Sequence, residues 1–150
     1  MRVRVTVIHG PNLNLLGRRE PAIYGSQTLD AINAMLAQAG SRLGAEVKCL
    51  QYDGEGEIIR AVHQAAEEAD ALVINPGAYG HTSLALADAL RAVSIPAIEV
   101  HLSNVWTREP FRQVLVTAAA CRGLIAGLGA YGYMLALRAA VHLVRGTVPE

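Results

Sequence analysis

Residues 71–101 read ALVINPGAYGHTSLALADALRAVSIPAIEVH. The first five, Ala71–Asn75, are apolar on both alternating faces until the closing asparagine. That pattern belongs to a strand covered on both sides, as in the interior of a parallel sheet. Ser83–Val93 then reads as a helix, and Ile95–His101 as another strand. Pro96 stands at the mouth of that strand, where a missing N–H is tolerated. Strand, helix and strand within some thirty residues make a βαβ unit with its two strands parallel.

The same alternation extends in both directions. Val3–His9 is β-branched and apolar, and a polar loop follows from Gly10 to about Gln27. Leu29, Ile32, Leu36, Ala39 and Leu43 then recur at helical spacing and stop at Gly44. Thr28 is placed to cap that helix, and Asp30 suits its positive end. Val47–Tyr52 is a strand, and the turn Asp53-Gly-Glu-Gly56 leads into a helix carrying Ile58, Ile59, Val62 and Ala66. Leu124–Gly127 is the last strand, followed by a helix from about Gly132 to Val144. Five strand–helix units predict a single α/β domain over residues 1–150: one five-stranded parallel sheet with helices on both faces. In such sheets ligands bind beyond the carboxyl ends of the strands.

The composition is consistent with that fold. A chain of 150 residues fits one domain and buries roughly 70% of its unfolded surface. It is 52% hydrophobic, yet no apolar run approaches the ~18 residues of a membrane span. The excess apolar surface points to subunit contacts. Formal net charge is zero, which gives no footprint for nucleic acid or acidic lipid. Cys49 and Cys121 lie far apart in apolar stretches and read as reduced core thiols. With the basic, alternating N-terminal strand, which is unlike a signal peptide, they predict a cytoplasmic protein. Lys48, the single lysine, falls inside a strand, a poor place for Schiff-base chemistry.

The strand ends carry the chemistry. His9 opens HGPNLNLLGRREPAIYG, Asn75 opens NPGAYGHTS, and Glu99 opens EVHLSNVWTREPFR. The loop after the first strand exceeds the usual 2–6 residues for such a connection, which marks it as a lid. Each polar residue also has a plain structural reading. Asn12 suits a turn after Pro11, Arg18 and Arg19 suit solvated charges, Tyr24 suits a packing anchor, and His101 suits a hydrogen-bonded strand end. Their convergence on one edge favours a shared site. The set suggests proton transfer. A phenol is a feeble base at neutral pH unless a guanidinium stabilises its anion; Arg19 shares the loop of Tyr24, and Arg108 is within reach of the same place. Glu99 and His101 alternate along a strand and so share a face. A carboxylate behind an imidazole fixes its tautomer and favours the imidazolium, a general acid.

Other chemistries fit less well. HExxH and GxSxG are both lacking, and His81, Glu99 and His101 do not form a compact ligand set. Gly127-Leu-Gly129-Ala-Tyr-Gly132 matches GxGxxG, the mark of a flavin or dinucleotide module, but no strand follows to carry the ribose-binding acid. Close helix–strand packing accounts for these glycines as well. A protein kept only for binding or assembly is a further alternative, against which the intact acid–base set stands.

GPNLNLLGRREPAIYG, NPGAYGHTS, EVHLSNVWTREPFR and GLGAYGYMLAL, in this order over essentially the whole chain, resemble the type II 3-dehydroquinate dehydratases. The resemblance implies a flavodoxin-like fold with strand order 2-1-3-4-5. It implies dehydration of 3-dehydroquinate to 3-dehydroshikimate in the shikimate pathway, by anti elimination through an enolate, with no cofactor and no metal. Matched residue by residue, Tyr24 is the base, Arg19 the transition-state arginine, and His101 the general acid with Glu99 behind it. Asn12 supports the enolate through water. Asn75 and the backbone of Leu102 and Ser103 cradle the carboxylate, and His81 and Arg112 hold ring hydroxyls. Asp88 reaches a neighbouring subunit's site in a homododecamer built from trimers. This sequence departs from the family pattern at Gly80, Ala87, Trp106 and Gln113–Val116.

Overall fold

The computed structural model describes residues 2–18 and 20–146. Five strands, β1 (Val3–His9), β2 (Ala45–Gln51), β3 (Ala71–Asn75), β4 (Ala97–His101) and β5 (Gly123–Ala126), form one parallel sheet in the order β2-β1-β3-β4-β5. The helices are α1 (Pro21–Tyr24), α2 (Leu29–Leu43), α3 (Glu55–Glu68), α4 (Leu84–Ala92) and α5 (Tyr131–Arg145). The period-2 alternation of the strands divides the core in two. Val3, Val5, Val7, Val73 and Val100 face α2 and α5, meeting Leu36 and Leu137. Ile8, Leu72 and Ile74 face α3 and α4, meeting Ile58, Val62 and Leu86.

Local signals set most boundaries. The Thr28 hydroxyl accepts the Ala31 N–H at 3.1 Å, and Gly44 ends α2 with φ 68°. The expected strand Ile95–His101 is shorter at its start. Pro96 lies just outside β4, where its carbonyl still accepts from the Leu72 N–H at 2.9 Å. β2 begins at Ala45, earlier than expected, because Ala45 pairs with Val3 in register with β1. The loop after β1 is not structureless. It holds a 3-10 turn at Leu13–Leu15 and the single-turn helix α1, started by Pro21 at its first position.

The chain leaves β1 for β2 on one side, then returns to place β3 on the other. That reversal opens a crevice at the carboxyl ends of β1 and β3. The two loops leaving it touch backbone to backbone. Gly10 N–H donates to the Asn75 carbonyl at 2.7 Å, and a Cβ at Gly10 would lie 2.6 Å from the Pro76 carbonyl carbon. Gly10→Ala is therefore expected to cost roughly 1–3 kcal/mol through overpacking. At ~2–4 °C per kcal/mol the melting temperature falls by several degrees; an unchanged thermal melt would show that this contact yields freely.

Candidate active site

The loops beyond β1, β3 and β4 enclose one cleft. Asn12, Tyr24, Asn75, His81, His101, Leu102, Ser103, Arg108 and Arg112 all line it. Glu99 stands one contact behind, under His101. Arg19 lies outside the described residues. Asp88 is elsewhere: it sits exposed on α4, paired with Arg91 at 3.7 Å.

Strand alternation places Glu99 and His101 on the same face of β4, as expected. The Glu99 carboxylate is fully buried, a location that is costly for a charge unless it is paired and hydrogen-bonded. Both oxygens are used. One accepts from His101 Nε2–H at 2.7 Å, and the other from the Thr117 hydroxyl. His101 Nε2 therefore carries a proton, and Nδ1 is the nitrogen left for exchange in the cleft.

His81 stacks beside His101, with ring centroids 5.8 Å apart. Its Nδ1–H donates to the Val114 carbonyl at 2.8 Å, which leaves Nε2 as an acceptor. Burial pushes the His81 pKa below the ordinary value, against the opposing pull of the Val114 bond, and the charges of His101 and Arg112 push it further down. At neutral pH the ring is uncharged and suited to bind a hydroxyl.

Tyr24 ends α1, and Arg108 lies over its ring, with the guanidinium carbon 5.0 Å from the centroid. Arg108 also donates to the Ser103 hydroxyl at 3.4 Å. Glu109 accepts from Arg112 Nε at 2.8 Å, and the hydrogen bond from its own backbone N–H, with that from Arg112, lowers its pKa. Asn12 has φ 70°, in the left-handed region that asparagine tolerates better than most residues. The turn role and the site role thus coincide at one residue. Its backbone N–H donates to Asp53 at 3.1 Å, which ties the first loop to the turn after β2.

Thr117 and Asp53 take part without having been marked in the sequence. Thr117 follows the stretch that departs from the family pattern, and no spacing rule connects it to Glu99. Gly80 belongs to the same corner: a Cβ there would meet Pro76 at 3.0 Å, the His101 ring at 3.2 Å and the Thr117 hydroxyl at 3.4 Å.

The other motifs resolve into structure. Gly127 and Gly129 have φ of 90° and 58°, and a Cβ at Gly132 would lie 3.4 Å from Val100 and 3.5 Å from Ile125. Turn geometry and helix–strand packing both use these glycines. Lys48 points away from the cleft on β2 and pairs with Glu68 at 3.1 Å. Cys49 and Cys121 are free thiols, half-buried rather than core, with pKa values pushed up by burial to about 11 and about 12. Among the described residues no cluster of three His, Cys, Asp or Glu is arranged to hold a metal ion, and no helix is long and apolar enough to cross a membrane.

Comparison with known proteins agrees with this geometry. The family model for dehydroquinase class II matches residues 3–141. A 3-dehydroquinate dehydratase of Pelotomaculum thermopropionicum is 55% identical over 141 residues, covering 94% of this chain and 98% of the relative. The protein of the same name from Caldanaerobacter subterraneus is 51% identical, covering 93% and 95%. The crystal structure of the type II dehydroquinase from Propionibacterium acnes superposes with a TM-score of 0.90 at 46% identity, over 94% of this chain and 97% of that one. The enzyme from Butyrivibrio crossotus gives 0.91 at 44% identity, over 93% and 97%. With its sheet order, its cleft and its sequence all in agreement, the chain belongs to the class II dehydroquinase family.

Proposed function

We propose that this chain is a cofactor-free hydro-lyase that converts 3-dehydroquinate to 3-dehydroshikimate and water, a step of the shikimate pathway. The observation that carries the reading is the pairing of a Tyr24–Arg108 contact with a Glu99–His101 pair on one cleft. Tyr24, as phenolate, removes a proton from the carbon beside the ketone. The electron pair moves onto the carbonyl oxygen and gives an enolate, supported by Asn12 through water. Collapse of the enolate expels the hydroxyl from the next carbon, on the opposite face, and His101 supplies the proton that makes it water. A carbon–carbon double bond conjugated to the ketone remains. Arg19 stabilises the transition state. Asn75 and the backbone of Leu102 and Ser103 hold the substrate carboxylate, while His81 and Arg112 hold ring hydroxyls. Purified protein given 3-dehydroquinate is expected to produce the ultraviolet absorbance of the conjugated enone; no rise in absorbance would overturn the reading.

The lysine argues for an enolate rather than an imine. Lys48 is held by Glu68 on the edge strand β2, away from the cleft. Activity is expected to survive borohydride added with substrate. Irreversible loss with substrate bonded to Lys48 would replace this mechanism with a Schiff base.

Assembly and location extend the proposal. Trp106, Phe111, Val114, Leu128 and Tyr131 are exposed apolar side chains, and in a homododecamer of trimers Asp88 of one copy completes a neighbour's site. Asp88→Ala is then expected to lower activity and shift the protein to smaller species in analytical ultracentrifugation. A fully active Asp88→Ala monomer would refute it. Two free thiols suit a reducing cytoplasm.

A further inference from the structure

A second buried polar group meets the cleft from the opposite face of the sheet, and it involves none of the acid–base residues. His9 ends β1 and is fully buried, register partner of Asn75 at the end of β3. Between α2 and α5 its ring makes two hydrogen bonds: Nε2 with Asn33 Oδ1 at 2.8 Å, and Nδ1 with the Tyr133 hydroxyl at 2.8 Å. Tyr133 is itself fully buried, and the Asn75 side chain acts on its hydroxyl from the neighbouring strand end.

The directions of these bonds follow from one fixed point. Asn75 Oδ1 accepts from the Gly77 N–H at 3.1 Å, so the amide nitrogen of Asn75 must point the other way. That turns the amide nitrogen toward the side of the sheet where Tyr133 lies. Tyr133 O–H is then free to donate to His9 Nδ1, and His9 Nε2–H donates to Asn33. Every donor has an acceptor only if the imidazole is neutral, and burial, against the Asn33 bond, pushes the His9 pKa down to about 4. The second hydrogen on the Asn75 nitrogen is left for the cleft that Asn75 lines.

We infer that His9 and Tyr133 are positioning residues, a buried relay that locks the rotamer of the Asn75 amide so that one N–H stays presented to the substrate. Rotation of that amide would place a carbonyl oxygen against an anionic group, would break the Gly77 bond and would turn the amide oxygen toward Tyr133. The inference rests on the proposal that Asn75 binds substrate. Buried networks that are fully satisfied hold one arrangement, and a ligand held in both ground and transition states appears in KM rather than kcat.

The test is a double-mutant cycle in the full-length enzyme with 3-dehydroquinate. Tyr133→Phe keeps the ring and removes the hydroxyl. It is expected to raise KM roughly 2- to 10-fold, the worth of one hydrogen bond, with kcat within about twofold. In an Asn75→Ala background the same substitution is expected to have no further effect on KM, because the group it positions is gone. His9→Leu should behave like Tyr133→Phe. His9→Asn should keep KM near wild type, since its Oδ1 falls close to the position of Nδ1 and accepts from Tyr133. A wild-type KM in Tyr133→Phe, or an equal rise in the presence and absence of Asn75, would overturn the relay. Failure of His9→Asn to outperform His9→Leu would do the same if Tyr133→Phe does not fold. Should Asn75→Ala alone leave KM unchanged, Asn75 is not a substrate ligand, and the reading beneath the relay is what fails.

Discussion

Tyr24→Phe is expected to lower kcat at least ~10²-fold while leaving substrate binding nearly unchanged. A positioned general base contributes typically 10²–10⁴-fold, and phenylalanine keeps the ring while removing the only atom that can take the proton. The lower bound corresponds to about 2.7 kcal/mol of transition-state stabilisation. Packing should survive, because the ring that Arg108 lies over is kept. A phenol abstracts a carbon-bound proton only as phenolate, and a cation close to the ring favours that anion. Arg108 supplies one such cation 5.0 Å from the ring centroid, and Arg19 is the second candidate. Arg19→Ala and Arg108→Ala should each reduce kcat, and the defect should narrow as pH rises, since alkaline solution supplies the phenolate that the guanidinium otherwise favours. Lysine at either position should restore only part, lacking the planar fork. The measurement is the pH–rate profile of each variant beside wild type. Near-normal kcat in Tyr24→Phe would remove Tyr24 as base, and a defect independent of pH would assign the arginines to binding alone.

The extent to which this could be read in the sequence has a physical explanation. β3 is apolar at every position before Asn75 and was legible to the residue, because burial on both faces leaves no polar position to confuse the period. α2 was legible because Thr28 and Gly44 mark both ends chemically. The start of β2 was not, since Ala45 and Glu46 are strand residues only through pairing with β1. α1 was hidden for a similar reason. Four residues show no helical period, and the turn exists because Pro21 begins it and the loop folds back over the cleft.

The site divides along the same line. Residues that follow strands were legible, because a parallel sheet delivers every strand end to one edge, and nine of the candidates line one cleft there. Contacts that depend on long sequence separation were not. Thr117 lies 18 residues from Glu99, and Tyr133 lies 124 from His9. In the sequence His9 is only the last residue of an apolar strand. Its neutral, doubly bonded state depends on α2 and α5 arriving on the same face. Asp88, by contrast, was carried over by resemblance alone, and within one chain it faces solvent.

Glu99 and His101 should behave as one unit when they are replaced. His101→Ala removes the group that protonates the departing hydroxyl and is expected to reduce kcat by at least ~10². Glu99→Gln keeps the volume and leaves an oxygen for His101 Nε2–H, and its new N–H2 can donate to the Thr117 oxygen once that hydroxyl rotates. What disappears is the negative charge, in a place where water cannot replace it, since the side chain is fully buried. The charge stabilises the cationic imidazole that delivers the proton, so its loss should reduce kcat roughly 10- to 100-fold, while thermal stability holds because no unpaired ion is left behind. Thr117→Val is the control. It removes one hydrogen bond to the carboxylate but keeps the charge, and so should have a smaller effect on kcat than Glu99→Gln. In the double variant Glu99→Gln with His101→Ala, the Glu99 change should add almost nothing to the His101 loss, because a carboxylate that acts through an imidazole has nothing to act on once the ring is gone. Independent, multiplying losses would mean that Glu99 serves the reaction by another route. A Glu99→Gln enzyme with wild-type kcat would reduce the pair to a structural contact and leave the departing hydroxyl in need of a different acid.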